Sequence, residues 1–122
     1  NAERIALVLR HARALHGRIA SSCQVQVEAE LPHHRRWRRL FHDWWREAFR
    51  AFATRAGAEA VLTFTCELGP APYAASGADG RDLTCRWQDA QAMRAAVLRL
   101  WAEATDSGAV PMPSAAAGRC PT

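Results

Sequence analysis

The sequence predicts a mixed α/β fold in which helices and strands alternate in the order α-β-α-β-α. Three observations lead to this prediction. Three segments carry apolar residues at helical spacing, two short segments are rich in strand-forming residues, and a helix separates the two strands. Strands separated by a helix pair in parallel through a right-handed crossover, and a parallel sheet needs neighbours that cover both of its faces. The chain therefore looks like one part of a larger α/β fold.

Composition limits the chain to one small domain of ordinary globular character. It has 122 residues, a hydrophobic fraction of 49% and a net charge of +4, and every basic residue is arginine. Excess positive charge can favour nucleic acid, phosphate or an acidic membrane surface. No apolar run reaches the roughly 20 residues that span a bilayer, and no signal peptide is visible, so we expect no membrane partner. The four cysteines form no C-x-x-C pair, which favours a reducing, cytoplasmic location over a zinc ribbon or a disulfide scaffold.

The first two elements are a helix and a strand. Apolar residues at helical spacing predict a helix from Ala2 to about Arg13. The short segment that follows mixes apolar and polar residues, and we place a strand at Leu15 to Ala20.

The third element is the most clearly marked of the chain. From His34 to Ala56 the tryptophans, phenylalanines and other apolar residues keep the i, i+3, i+4, i+7 pattern for about six turns, and Gly57 stops the helix. We expect Arg39 to pair with Asp43 on its wet side. Arginine and tryptophan together can bind nucleic acid, but the tryptophans lie on the apolar stripe and not beside the arginines, so nucleic acid is disfavoured.

The remaining elements are a strand, a turn region, a helix and a tail. Glu59 to Cys66 is rich in strand formers, and residues 69–81 carry the glycines and prolines of turns. A last helix is predicted from Thr84, as N-cap, to about Ala104. The residues expected to point inward from it are Trp87, Ala90, Val97, Leu98 and Trp101. Residues 106–122 lack a pattern and are predicted to be a disordered tail.

Alternation along the strands separates an apolar face from a polar one. Leu15, Gly17 and Ile19 share one face of the first strand, and His16 and Arg18 share the other. In the second strand Glu67 ends the more polar face. In a barrel of parallel strands, functional residues gather at the carboxyl ends of the strands, so His16 and Glu67 would point into one mouth. Imidazole and carboxylate together suit a divalent metal, although two ligands are too few to hold one tightly.

Three motifs resemble the sugar phosphate isomerase/epimerase family, the xylose-isomerase-like TIM barrels. They are "LHGRIAS" with Gln24-Val25 soon after, the helix "RRWRRLFHDWW", and above all "TFTCELGPAPY" followed by "RW". The similarity covers roughly Ile5 to Ala102. It implies that residues 1–105 are the carboxyl-terminal part of a TIM barrel, about its last two βα units preceded by a helix.

The resemblance also implies roles for individual residues. His16 matches a metal-binding histidine, Arg18 a substrate contact, and Glu67 a metal ligand that can serve as acid and base. The metal would be Mn²⁺, Mg²⁺, Co²⁺ or Zn²⁺, with further ligands on earlier strands. Ala14 stands where relatives often have another histidine. Tyr73 is a substrate-binding candidate that could equally pack the loop.

The sequence therefore predicts a fragment of a metal-dependent sugar or sugar phosphate isomerase or epimerase, inactive alone, that moves a proton through a metal-stabilised enediolate. Two alternatives stay open for the function. One is a non-catalytic truncated barrel whose exposed edges bind another chain or a second copy, and the other is a phosphodiesterase of the apurinic endonuclease kind.

The individual residues have structural alternatives as well. Glu67 could be a capping or loop carboxylate, His16 a satisfied core histidine, and Arg18 the partner of an acidic neighbour.

Overall fold

A computed structural model of the chain describes residues 2–57, 59–70 and 72–105, and its mixed α/β architecture confirms the predicted order of elements. The predicted tail, residues 106–122, lies outside the described residues. The two strands pair in parallel, as expected, in a two-stranded sheet. The elements are α1 (Ala2–His11), β1 (Ala14–Gly17), a 3₁₀ turn (Pro32–His34), α2 (Arg35–Arg55), β2 (Thr63–Cys66) and α3 (Arg86–Thr105).

Helix α2 matches its prediction to within one residue at each end. A 3₁₀ turn beginning at Pro32 leads into it, and it ends where the N–H of Ala56 donates to the carbonyl of Phe52. The expected pair of Arg39 with Asp43 is wrong. Asp43 accepts instead from Arg46 at 2.8 Å, three residues onward, and the same guanidinium also reaches Glu103 on α3.

Both strands are shorter than the sequence pattern suggested. Beyond Gly17 the chain pairs with itself, since the carbonyl of Ile19 accepts from the N–H of Val27 at 2.9 Å. Before Thr63 the chain is exposed, and Val61 has 82% of its surface accessible. A strand extends only as far as it has a partner to hydrogen-bond with, and sequence propensity does not supply one.

The core lies where α2 and α3 cover the apolar face of the sheet. The ring of Phe64 on β2 meets Trp45 edge-on at 5.1 Å and Phe49 at 6.1 Å between centroids. Phe49 and Ile19 are the largest fully buried side chains. The buried cluster comprises Ile19, Val27, Trp45, Phe49, Met93, Val97 and Leu100. These aromatic contacts fix β2 against the helices, and β1 is held in place by its pairing with β2.

Gly17 allows this close packing. A Cβ atom at this position would lie 2.2 Å from Cε1 of Phe64 and 3.2 Å from Sδ of Met93. The predicted faces of β1 are therefore confirmed, with Gly17 and Ile19 turned toward the core and His16 turned away from it.

Helix α3 differs from its prediction in two respects. It begins at Arg86, and the hydroxyl of Thr84 donates to the carboxylate of Asp89 and does not cap a backbone N–H. Trp87, expected to point inward, is 48% exposed. The buried stripe instead runs through Met93, Ala96, Val97 and Leu100, because only this later part of the helix lies over the sheet and α2. None of the described helices is both long enough and apolar enough to cross a bilayer.

Candidate functional site

The carboxyl ends of β1 and β2 bring the three ionisable candidates together. The parallel register places His16 opposite Thr65 and Gly17 opposite Cys66. The ladder continues one step further, with the N–H of Glu67 donating to the carbonyl of Gly17 at 2.9 Å. Because side chains alternate between faces, His16, Arg18 and Glu67 project from the face opposite the helical core.

The carboxylate of Glu67 is shared between the two basic side chains of β1 and its continuation. Its Oε2 is hydrogen-bonded to Nδ1 of His16 at 3.0 Å, and its Oε1 accepts from the guanidinium of Arg18. The side chain of His16 is 69% exposed and that of Glu67 is 41% exposed. The structural alternative of a buried core histidine is therefore excluded for His16. Glu67 caps none of the described helices, and Arg18 does pair with this acidic neighbour.

Tyr73 closes one side of this group. The guanidinium carbon of Arg18 lies 5.4 Å from the centroid of the Tyr73 ring, within the range of a cation–π contact. The ring also lies against Gly69, where a Cβ atom would come within 2.9 Å of Cδ2 of Tyr73. All four residues expected in the site thus lie together, and Arg18 contacts both Glu67 and Tyr73.

Two buried polar residues that the sequence pattern did not single out hold the loop bearing Tyr73. Gln26 and Glu28 are each only 5% exposed, and both hydrogen-bond to the backbone of that loop. The signal was present in "QVQVEAE", where polar and apolar residues alternate with a period of two. Such a pattern normally marks a polar face in water, so it did not indicate that Gln26 and Glu28 are buried.

The other reactive side chains near the strands lie apart from this group. Cys66 is a free, half-buried thiol next to Glu67 in sequence, and burial raises its pKa while the charge of Arg94 opposes that shift. It lines an apolar groove with Phe64. His34 is used structurally, since its Nδ1 is hydrogen-bonded to the carbonyl of Glu28 at 2.9 Å.

The chain matches no known family model, and no curated protein or solved structure is significantly similar to it. The family resemblance of the strand motifs therefore stays a prediction. Among residues 2–57, 59–70 and 72–105, no group of three or more histidine, cysteine, aspartate or glutamate side chains is arranged to hold a metal ion. The imidazole and carboxylate at the strand ends are two donors of the kind that divalent metals bind.

Chemically, the group combines a carboxylate, an imidazole, a guanidinium and a phenol at one exposed edge. Within the described residues, Nε2 of His16 makes no hydrogen bond, so this nitrogen can bind a proton or an ion from solvent. The carboxylate of Glu67 holds the other ring nitrogen in place, which is how protein carboxylates orient metal-binding or proton-accepting histidines. The arrangement offers a carboxylate and an imidazole side by side, which are the groups that proteins use for proton transfer.

Proposed function

We propose that this chain is the carboxyl-terminal part of a divalent-metal-dependent sugar or sugar phosphate isomerase or epimerase built on a TIM barrel. The observation that carries the proposal is the meeting of His16, Arg18 and Glu67 at the carboxyl ends of two parallel strands. In barrels of this kind, catalytic groups come from the ends of different strands at that face. The parallel pairing through a helical crossover is consistent with two successive βα units of such a barrel.

His16 and Glu67 supply one imidazole and one carboxylate, the donor types that divalent metals bind. Nδ1 of His16 and Oε2 of Glu67 are joined by a hydrogen bond at 3.0 Å, so Nε2 is the ring nitrogen of His16 that is open to an ion. The donor chemistry therefore fits a divalent metal, while the number of donors falls short of the four or more that such ions take. The missing ligands would come from other strands of a complete barrel, so this chain is expected to be inactive alone.

Each of the candidate residues has a specific task in this proposal. A bound divalent ion would polarise a carbonyl group and stabilise negative charge on the oxygens of the sugar. Glu67 would remove a proton from a carbon atom and return it to the neighbouring carbon or to the opposite face. Arg18 would donate hydrogen bonds to a substrate oxygen, and the exposed ring of Tyr73 would border the sugar.

Metal titration of the chain tests the proposal directly. Mn²⁺ should bind weakly, because the described residues supply two ligands. It should broaden the amide signals near His16 and Glu67 in the nuclear magnetic resonance spectrum. The variants His16→Ala and Glu67→Gln should each weaken binding by about tenfold or more, since each removes one of two protein ligands. The matched control is His33→Ala, because His33 is an exposed histidine that makes no contact with the strand ends.

The outcome that contradicts the proposal is equally specific. If His16→Ala and Glu67→Gln bind Mn²⁺ as the wild-type chain does, the broadened signals must come from another place and the metal site is wrong. If His33→Ala weakens binding as much as His16→Ala does, the ion is held by histidines in general.

A second candidate function, an interaction module, is favoured by the open edge of β2. In a parallel ladder alternate residues bond to opposite neighbours, and the bond from Glu67 to Gly17 fixes which ones face β1. The backbone groups of Phe64 and Cys66 consequently point to the other edge, where the described residues supply no third strand. An apolar groove that includes Leu62 and Trp101 borders this edge. A mass that rises with concentration in light scattering, without metal, would favour this function.

A further inference from the structure

We propose that Gln26 and Glu28 are positioning residues that clamp the loop between β2 and α3 and thereby hold Tyr73 over Arg18. The two contacts lie on either side of Tyr73 in this loop, at Gly69 and at Ala75. The inference rests on the proposed function, because that proposal assigns Tyr73 and Arg18 to substrate. It adds to the site two residues whose side chains hydrogen-bond to the backbone of the loop at Gly69 and Ala75.

Gln26 forms the first half of the clamp. Its Nε2 donates to the carbonyl of Gly69 at 3.2 Å, and its Oε1 accepts from the N–H of Gly69 at 2.7 Å. The side-chain amide thus satisfies both backbone groups of one residue, as a neighbouring strand would. At 5% exposure it has almost no access to water, so each of these bonds replaces one that water cannot provide. The loop is therefore fixed at the point where it leaves Glu67 and Leu68.

Glu28 forms the second half. Its Oε1 accepts from the N–H of Ala75 at 2.8 Å, and its own carbonyl accepts from Nδ1 of His34 at 2.9 Å. Val27, between the two clamp residues, points the other way into the core and is 2% exposed. The N–H of Val27 bonds to the carbonyl of Ile19, which follows Arg18 directly. The clamp therefore joins the loop to the same chain segment that carries Arg18.

Tyr73 depends on these anchors because its own burial does not fix it. It lies between Gly69 and Ala75, it is 50% exposed, and among the described residues its backbone N–H bonds to the carbonyl of Pro70 in a turn, at 2.9 Å. Its ring contacts Arg18, and Arg18 in turn contacts Glu67. Releasing either anchor, at Gly69 or at Ala75, should let the ring move away from Arg18, with little change in the core.

Only one of the two carboxylate oxygens of Glu28 takes part in the bond to the loop. Oε2 is buried and has no hydrogen-bond partner among the described residues. Glu28 lines a cavity of about 20 Å³ together with Thr84 and Asp89, which is enough space for about one water molecule. The bond to Ala75 needs only one oxygen, so an amide in place of the carboxylate can preserve it.

Fluorine labelling of the tyrosine gives a direct measurement of its position. The chain contains one tyrosine, so growth with 3-fluorotyrosine yields a single ¹⁹F signal that reports on Tyr73. The variant Arg18→Gln removes the guanidinium and marks where the signal lies when the contact is lost. In metal-free Gln26→Glu, where a carboxylate faces the carbonyl of Gly69, the signal should move most of the way to that reference. The matched control is Gln24→Glu, which adds the same charge at an exposed position and should leave the signal in place.

A second pair of variants covers the case in which Gln26→Glu fails to fold. Glu28→Met is close in size and lacks the acceptor for Ala75, so the ¹⁹F signal should move as in Arg18→Gln. Glu28→Gln retains an oxygen for Ala75 and should restore the wild-type signal, which a general loss of stability would not do.

Unchanged ¹⁹F signals in folded Gln26→Glu and Glu28→Met would overturn the clamp. This outcome is separate from failure of the proposed function, because the fluorine measurement needs no metal, while the Mn²⁺ titration of the His16 and Glu67 variants needs no clamp.

Discussion

Replacing Gly17 with alanine should destabilise the fold through a clash with Phe64. The new methyl group would lie 2.2 Å from Cε1 and 2.3 Å from Cζ of that ring. Ordinary carbon contacts are about 3.5 Å, so the ring or the strand must move by more than about 1 Å. Trp45, Phe49 and Met93 surround the ring and leave little room for this movement.

The size of the effect follows from the packing. Adding a methyl group to a filled core costs about 1–3 kcal/mol, and the edge-on contacts of Phe64 with Trp45 and Phe49 place Gly17→Ala toward the upper end. Alanine also restricts the backbone of the unfolded chain, and this effect stabilises the folded state by about 0.4–1 kcal/mol. The net loss should be about 2–2.5 kcal/mol, and a domain of this size should then melt about 8–15 °C lower. Thermal and urea unfolding followed by far-ultraviolet circular dichroism would measure it.

A control variant and a second background make the test specific. Gly57→Ala is the matched control, because nothing lies within 4 Å of a Cβ atom there and no positive φ is required. Its stability should stay within about 0.5 kcal/mol of the wild type. Phe64→Leu removes the ring that the methyl group would meet, so in the double variant the cost of Gly17→Ala should fall by at least about 0.5 kcal/mol. If Gly17→Ala has the same melting temperature as the wild type, the packing explanation is wrong. It is also wrong if Gly17→Ala lowers the free energy of unfolding by the same amount in the Phe64→Leu background.

Two pH-dependent predictions follow from buried ionisable groups. Burial, reinforced by the charges of Arg38 and Arg46, lowers the pKa of His42 from 6.5, so the unfolded chain binds the proton more tightly. The contribution of His42 to stability is therefore complete above pH 6.5 and is lost as pH falls below 6.5. In His42→Gln, the free energy of unfolding measured with urea should depend less on pH in this range. An unaltered curve would contradict the assignment. Burial also raises the pKa of Asp89 above 3.8, an effect that the hydrogen bond from Thr84 opposes. The free energy of unfolding should fall as pH rises from 3.8 through the raised pKa. Asp89→Asn still accepts from Thr84, and its free energy of unfolding should exceed that of the wild type by more at neutral pH than at pH 3.8. An equal difference at both pH values would contradict this prediction, and Asp43→Asn, at an exposed carboxylate, is the control.

Local sequence patterns predicted the elements that depend mainly on local periodicity. The apolar stripe of α2 identified its length and its inner face because a helix satisfies its own backbone hydrogen bonds, and its stripe needs only a surface to pack against. Alternation in β1 likewise assigned His16 and Arg18 to one face, and the β-α-β order predicted parallel pairing. Together these patterns placed His16, Arg18 and Glu67 at one edge from the sequence alone.

Tertiary contacts decided the features that local patterns left open. The strands end where their partners end, Trp87 stays exposed because the sheet does not reach beneath the start of α3, and Asp43 pairs with the arginine that also reaches Glu103. The burial of Gln26 and Glu28 was not readable from an alternating polar pattern, since their partners are backbone groups 43 and 47 residues away along the chain. A sequence pattern records which residues prefer water, but only the folded chain determines which buried polar groups find a partner.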